Sequence, residues 1–172
     1  MRPALLPTLL IPALAGCAPQ GAPQPTVPAA AVLTLTPNPV RVGQELRFTL
    51  RSPVSGEVAL FIESPDGSVI QLLPNRQPDG QVRLNADQTQ LFPSAGSTFF
   101  LRASAPTGAH TALLYVSSGP LNLSGVSDYA SPSSTFATVS TQGRGSLLGA
   151  VAAKMKLLNP GVAGTLTFTV QP

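Results

Sequence analysis

Three kinds of residue in this chain could do chemistry: one thiol, one imidazole and seven carboxylates. Cys17 is the only cysteine, which excludes a disulfide framework and a thiolate metal cluster. His110 is the only histidine, and histidine is the usual general base near neutral pH. It lies beside a turn at residues 106–108, with no cysteine nucleophile available and no serine elbow, and reads as an exposed loop residue. A hydrolase built on His110 is the least favoured reading. Glu45, Glu57, Glu63, Asp66, Asp79, Asp87 and Asp128 fall at outward strand positions or turns, from which no glycosidase pair can be chosen. Asp66, Asp79 and Asp87 are too far apart in sequence for a calcium loop. Gly143-Arg144-Gly145 precedes a helical pattern, but Gly149 comes one residue late for a dinucleotide loop and no βαβ unit surrounds it. No Gly-x-Ser-x-Gly, P-loop or His-Glu-x-x-His motif occurs. The expectation is a protein that is not an enzyme, with no metal and no cofactor.

The residues before Cys17 give the thiol its context. Arg2 is followed by an apolar stretch over residues 4–14, broken by Pro7 and Pro12. It is too short to cross a bilayer as a helix, which takes about 20 residues, and reads as the core of a signal peptide. Its ending, Leu14-Ala15-Gly16-Cys17, resembles the bacterial lipobox. In that motif small residues fit the signal peptidase, and the thiol takes a diacylglyceryl group before cleavage. The resemblance implies a signal peptide over residues 1–16 and a mature lipoprotein starting at lipidated Cys17. Acyl chains contribute about 0.8 kcal/mol per buried CH₂, so such an anchor is effectively permanent. Ala18 stands where an aspartate would signal inner-membrane retention of the enterobacterial type. The expected location is the bacterial cell envelope, held to a membrane and facing the periplasm or the exterior.

Composition bounds what the anchor carries. Hydrophobic residues at 43% and charged residues at 10% argue against disorder. The net charge of +3 comes from scattered single residues, without a Lys/Arg run, so nucleic acid is not an expected partner. Residues 17–31 form a lipidated cysteine and a Pro/Ala-rich tether. Proline-rich chain extends by about 3.1 Å per residue, so the tether could hold the domain roughly 40 Å from the lipid surface.

From Val32 to residue 172 the pattern is that of one β domain. Its centre is the hairpin at residues 56–75, where Val58, Leu60 and Ile62 share one strand face and Glu57, Ala59, Phe61 and Glu63 the other. Ser64-Pro65-Asp66-Gly67 reverses the chain: Pro65 pre-sets φ, Asp66 bonds back to the backbone and Gly67 takes the left-handed position. Further strands are predicted at 32–35, 45–51, 81–84, 91–93, 97–104, 111–117, weakly at 135–139, and at 165–170. Leu147, Leu148, Val151, Met155 and Leu158 recur at helical spacing, predicting a helix over 145–158 stopped by Asn159-Pro160-Gly161. The fold expected is all-β: an immunoglobulin-like antiparallel β-sandwich with one C-terminal helix packed on it, a lipocalin-like barrel being the alternative.

An ordered set of short motifs carries a further resemblance: Val42-Gly43-Gln44, Gly56, Asp66-Gly67, Leu73-Pro74-Asn75, Phe92-Pro93, Pro106-x-Gly108 and Ser117-x-x-Pro120-Leu121. Over residues 41–121 the chain resembles the bacterial family DUF4384, a domain of unknown function found in envelope lipoproteins and beside signalling domains. It departs at Glu57, where the family often has an aromatic, and at Ala109-His110, where an acidic residue often follows Pro-x-Gly. The resemblance implies fold and location, with no activity to carry over. The expected role is a structural or protein-interaction module of the envelope. The alternative is a small-ligand or lipid carrier using a cavity between sandwich and helix.

Overall fold

Two apolar runs, Val58 to Ile62 and Ala112 to Val116, set the architecture because each is buried on both faces. The computed structural model describes residues 30–139 and 146–172. Its strands are β1 (Val32–Leu35), β2 (Val40–Arg41), β3 (Glu45–Leu46), β4 (Phe48–Arg51), β5 (Gly56–Glu63), β6 (Val69–Leu73), β7 (Arg83–Leu84), β8 (Thr89–Phe92), β9 (Leu101–Arg102), β10 (Gly108–Ser117), β11 (Ser127–Asp128), β12 (Ala137–Val139) and β13 (Gly161–Gln171). One helix, α1 (Leu147–Leu158), precedes the last strand.

The large sheet runs β11-β12-β6-β5-β10-β13-β2, with β7 also on β5. A three-stranded sheet, β1-β4-β8, and a two-stranded ribbon, β3-β9, make the opposing layer. The result is an immunoglobulin-like sandwich with a helix on its outer face. A barrel is excluded, because the large sheet stays open with β11 at one end of its order and β2 at the other. Strand β2 joins β13 in parallel, whereas the other pairings are antiparallel.

Alternation assigns each side chain of the central strands to a layer. Val58, Leu60 and Ile62 of β5 and Ala112, Leu114 and Val116 of β10 meet Leu33, Phe48 and Leu50 between the sheets. Phe48 packs edge-on against Phe168 of β13, with ring centroids 6.1 Å apart. The other parity, Ala59 and Phe61 with Leu113 and Tyr115, packs under Leu148, Val151 and Met155 of α1. The domain thus has two cores sharing one sheet.

The helix and the central hairpin form as predicted, and several boundaries move. The strand expected at 45–51 breaks at Arg47, separating β3 from β4. The segment 97–104 is strand only at Leu101–Arg102, and the closing strand starts at Gly161 rather than Thr165. That early start follows from pairing, since β13 runs antiparallel to β10 from Gly161↔Ser117 to Val170↔Gly108.

Candidate functional site

The hairpin turn folds as its residues dictate. Gly67 has φ +81 and donates to the Ser64 carbonyl at 2.8 Å, while Ser64 donates to the Ser68 carbonyl at 2.9 Å. Asp66 Oδ1 accepts from the Ser68 hydroxyl at 2.7 Å and from the Ser68 N–H at 3.0 Å. Those two bonds, the hydroxyl first, hold the Asp66 carboxyl below its ordinary range. Pro65 lies over the neighbouring 106–108 turn, close to where a side chain on Gly108 (φ +125) would fall.

His110 corrects the expectation of an exposed loop residue. It sits in β10, only 6% exposed, stacked on Phe168 with ring centroids 5.3 Å apart. Its Nε2 donates to the Pro106 carbonyl at 2.9 Å, which is the tautomer this contact requires. The sequence hid this because β10 begins three residues earlier than predicted, directly at the Gly108 turn.

Beside His110 the two layers splay. A pocket of about 300 Å³ opens between the β3–β9 ribbon and the inner face of the large sheet. Its floor is Ile62, Ile70, Leu72 and Phe168, and its other wall is Leu46 with the run from Phe100 to Ser104. Phe100, at the rim, is 59% exposed. At the opposite end of the sandwich Ala31 donates to the Ala163 carbonyl at 3.1 Å, so the chain comes into the domain there. The six residue-to-residue steps of β13 from Gly164 to Val170 put about 20 Å between that end and the pocket. A second, open groove of about 440 Å³ runs between α1 and β13, lined by Ala30, Tyr115, Ala152, Ala153, Lys156 and Ala163 among others.

The carboxylates serve the fold rather than one centre. Glu45 pairs with Arg47 at 2.6 Å and Asp87 with Arg51 at 3.2 Å. Glu57 accepts from the Leu121 N–H at 2.9 Å, and Asp79 from the Ser94 hydroxyl at 3.3 Å. Glu63, at the end of β5, crosses to the helix: it accepts from the Ser146 hydroxyl at 2.7 Å and the Leu148 N–H at 3.3 Å. Ser146 Oγ in turn accepts from Gly149 N–H at 3.3 Å, and α1 has no acidic residue of its own in the first turn. Glu63→Gln keeps the shape but removes the charge facing the helix N-terminus. It is expected to cost about 1 kcal/mol, read as a lower urea midpoint at unchanged slope. No group of three or more His, Cys, Asp or Glu side chains gathers as a metal site among the described residues.

Polar links missed at the sequence level hold the loops. Asn159 Nδ2 donates to the Asn122 carbonyl at 3.0 Å, and Asn122 N–H returns a bond to Asn159 Oδ1 at 2.7 Å. Tyr115 OH donates to the Asn159 carbonyl at 2.7 Å, and burial pushes the Tyr115 phenol above its ordinary pKa. Arg76 lies over the Tyr129 ring at 3.8 Å and donates to the Pro132 carbonyl at 2.6 Å. The helix terminator had pointed to Asn159, but nothing local announced its partner 37 residues away.

Leu14, Ala15, Gly16 and Cys17, the predicted processing and lipidation residues, lie outside the described residues. The turn at Pro65, Asp66 and Gly67 stands at the same end of the sandwich as His110 and the pocket. No curated protein and no solved structure matches the chain significantly. The family match spans β2 to β10 and stops before the helix and the closing strand. Residues 39–120, just under half of the chain, match the model of the family described as Domain of unknown function (DUF4384), the family that the ordered motifs resemble.

Proposed function

We propose that this protein is a lipid-anchored, non-catalytic lipoprotein of the bacterial cell envelope, working as a structural or protein-interaction module. The observation that carries the reading is Leu14-Ala15-Gly16-Cys17 at the end of a short apolar stretch, with a proline-rich tether after it. The domain's geometry is compatible with display to a partner, since the chain comes in at one end of the sandwich and the pocket opens at the other. His110 donates to a backbone carbonyl and lies on Phe168, an arrangement that packs the ring rather than arming it as a base.

The test is in-cell cross-linking of the full lipoprotein with mass spectrometry of what is attached, alongside metabolic labelling with an alkyne fatty acid. Cys17→Ala is expected to abolish acyl labelling, release the protein from the membrane fraction and lose the dominant cross-linked neighbour. Labelling that survives Cys17→Ala would sink the anchor, and the absence of any reproducible neighbour would sink the interaction role. The open apolar groove along α1 favours a second reading, a small-ligand or lipid carrier. Lipid that co-purifies with the intact domain and is lost on Ala152→Arg would support it.

A further inference from the structure

The pocket between the β3–β9 ribbon and the large sheet borders a strand edge as well as a strand face. Leu101 and Ala103 are buried, whereas Phe100, Arg102 and Ser104 are exposed, yet all five residues of this run line it. Main-chain bonding explains what the edge offers. Ala103 N–H donates to the Gln44 carbonyl at 2.8 Å, its carbonyl accepts from Gly43 N–H at 2.7 Å, and Leu101 stands opposite Leu46. Alternation along a strand then turns the N–H and C=O of Phe100 and Arg102 away from β3. Behind that edge the inner face of the large sheet is incompletely covered: Ile70 and Phe136 are only half-buried, although both pack against the inter-sheet core.

Charge completes the description. The lining contains Arg102 and His110 and no carboxylate. Arg102 donates to the Gly43 carbonyl at 3.1 Å and makes no ion pair among the described residues. Glu45 is opposite it in the ladder, but its carboxylate is taken by Arg47 at 2.6 Å.

We infer that this edge receives an extended peptide from a partner protein, which adds as a strand beside β9, sends one apolar side chain into the pocket and pairs an acidic side chain with Arg102. The inference rests on the interaction-module reading and names the partner's chemistry. A fatty carboxylate could meet the apolar floor and the arginine, but it has no use for outward main-chain donors and acceptors at strand spacing. A peptide backbone has. At about 300 Å³ the cavity lies at the small end of ligand pockets, suited to a single branched or aromatic side chain.

The probes are fluorescein-labelled octapeptides with leucine or phenylalanine at alternate positions and one aspartate, titrated into the full lipidated chain in detergent and read by polarisation. Saturable binding is expected, reduced about tenfold or more by Arg102→Glu, which removes a charge-assisted bond and adds a repulsion. N-methylation of alternate peptide nitrogens is expected to reduce it comparably. Ala103→Phe, which fills the pocket from a buried wall, is expected to abolish binding, with folding checked by circular dichroism. Equal binding of the N-methylated peptide overturns strand addition. Saturation by decanoate with no peptide binding overturns the peptide in favour of a small amphiphile, and no binding across the panel overturns the site. A neighbour cross-linked in cells that survives Arg102→Glu would leave the interaction module standing on another surface, so the two readings fail separately.

Discussion

Replacing Gly56 by alanine is expected to cost roughly 3 kcal/mol or more, enough to remove a large fraction of the stability of a domain this size. Gly56 opens β5 where that strand meets the end of β10, and a Cβ built there falls onto the Ser117 carbonyl oxygen. The obstacle is backbone, so no rotamer change relieves it. Either β5 moves off β10, breaking the ladder that runs from Ser117↔Glu57 to Thr111↔Glu63, or the Ser117 to Gly119 turn shifts with it. Both strands are central to the large sheet and both cores rest on them, so the displacement is felt on each face. Gly67→Ala is the control. Gly67 has φ +81 but open space around its Cβ position, so its cost is local strain of about 1 kcal/mol. Urea unfolding of the two variants separates the causes. Similar losses would show that β5 and β10 can slide apart cheaply.

How much of this could be read without coordinates follows from the range of the interactions involved. The central hairpin was legible because its signals are local: alternation over Val58 to Ile62, then Pro65-Asp66-Gly67 within four residues. The helix was legible for the same reason, through the spacing of Leu148, Val151 and Met155 and the stop at Asn159. The break at Arg47 was not, because the apolar alternation of Leu46, Phe48 and Leu50 continues through it and only the change of partner from β9 to β8 marks it. The pocket was illegible for a related reason. Its walls come from β3, β5, β6, β9, β10 and β13, and segment 97–104, rich in Phe99 and Phe100, reads locally as an ordinary strand. His110 was misread because turn signals at Pro106 and Gly108 say nothing about which side chain the next strand buries against Phe168.

The two-core arrangement predicts a second large effect. Phe61→Ala is expected to cost about 3–5 kcal/mol, the range for deleting a fully buried aromatic ring. Phe61 is fully buried and belongs to the core beneath α1, with Tyr115 the only other aromatic among the buried residues of that cluster. The cavity cannot be closed from the sheet side, where β5 is held by β6 and β10. It can be closed only if the helix settles, and α1 is restrained at one end by Glu63 and at the other by Tyr115 and Asn159. The loss should therefore appear first as faster amide exchange in α1 and in the loop that Asn159 holds. Phe48→Ala removes a ring of equal size from the other core, between the sheets. A comparable total loss is expected there, with exchange rising in β1, β4 and β8 while α1 stays protected. The substitutions lie on opposite faces of the large sheet and share no cluster, so their costs should add in the double variant within about 0.5 kcal/mol. If both variants instead loosen α1 and the small sheet alike, the large sheet does not insulate its two faces and the domain opens as one cooperative unit.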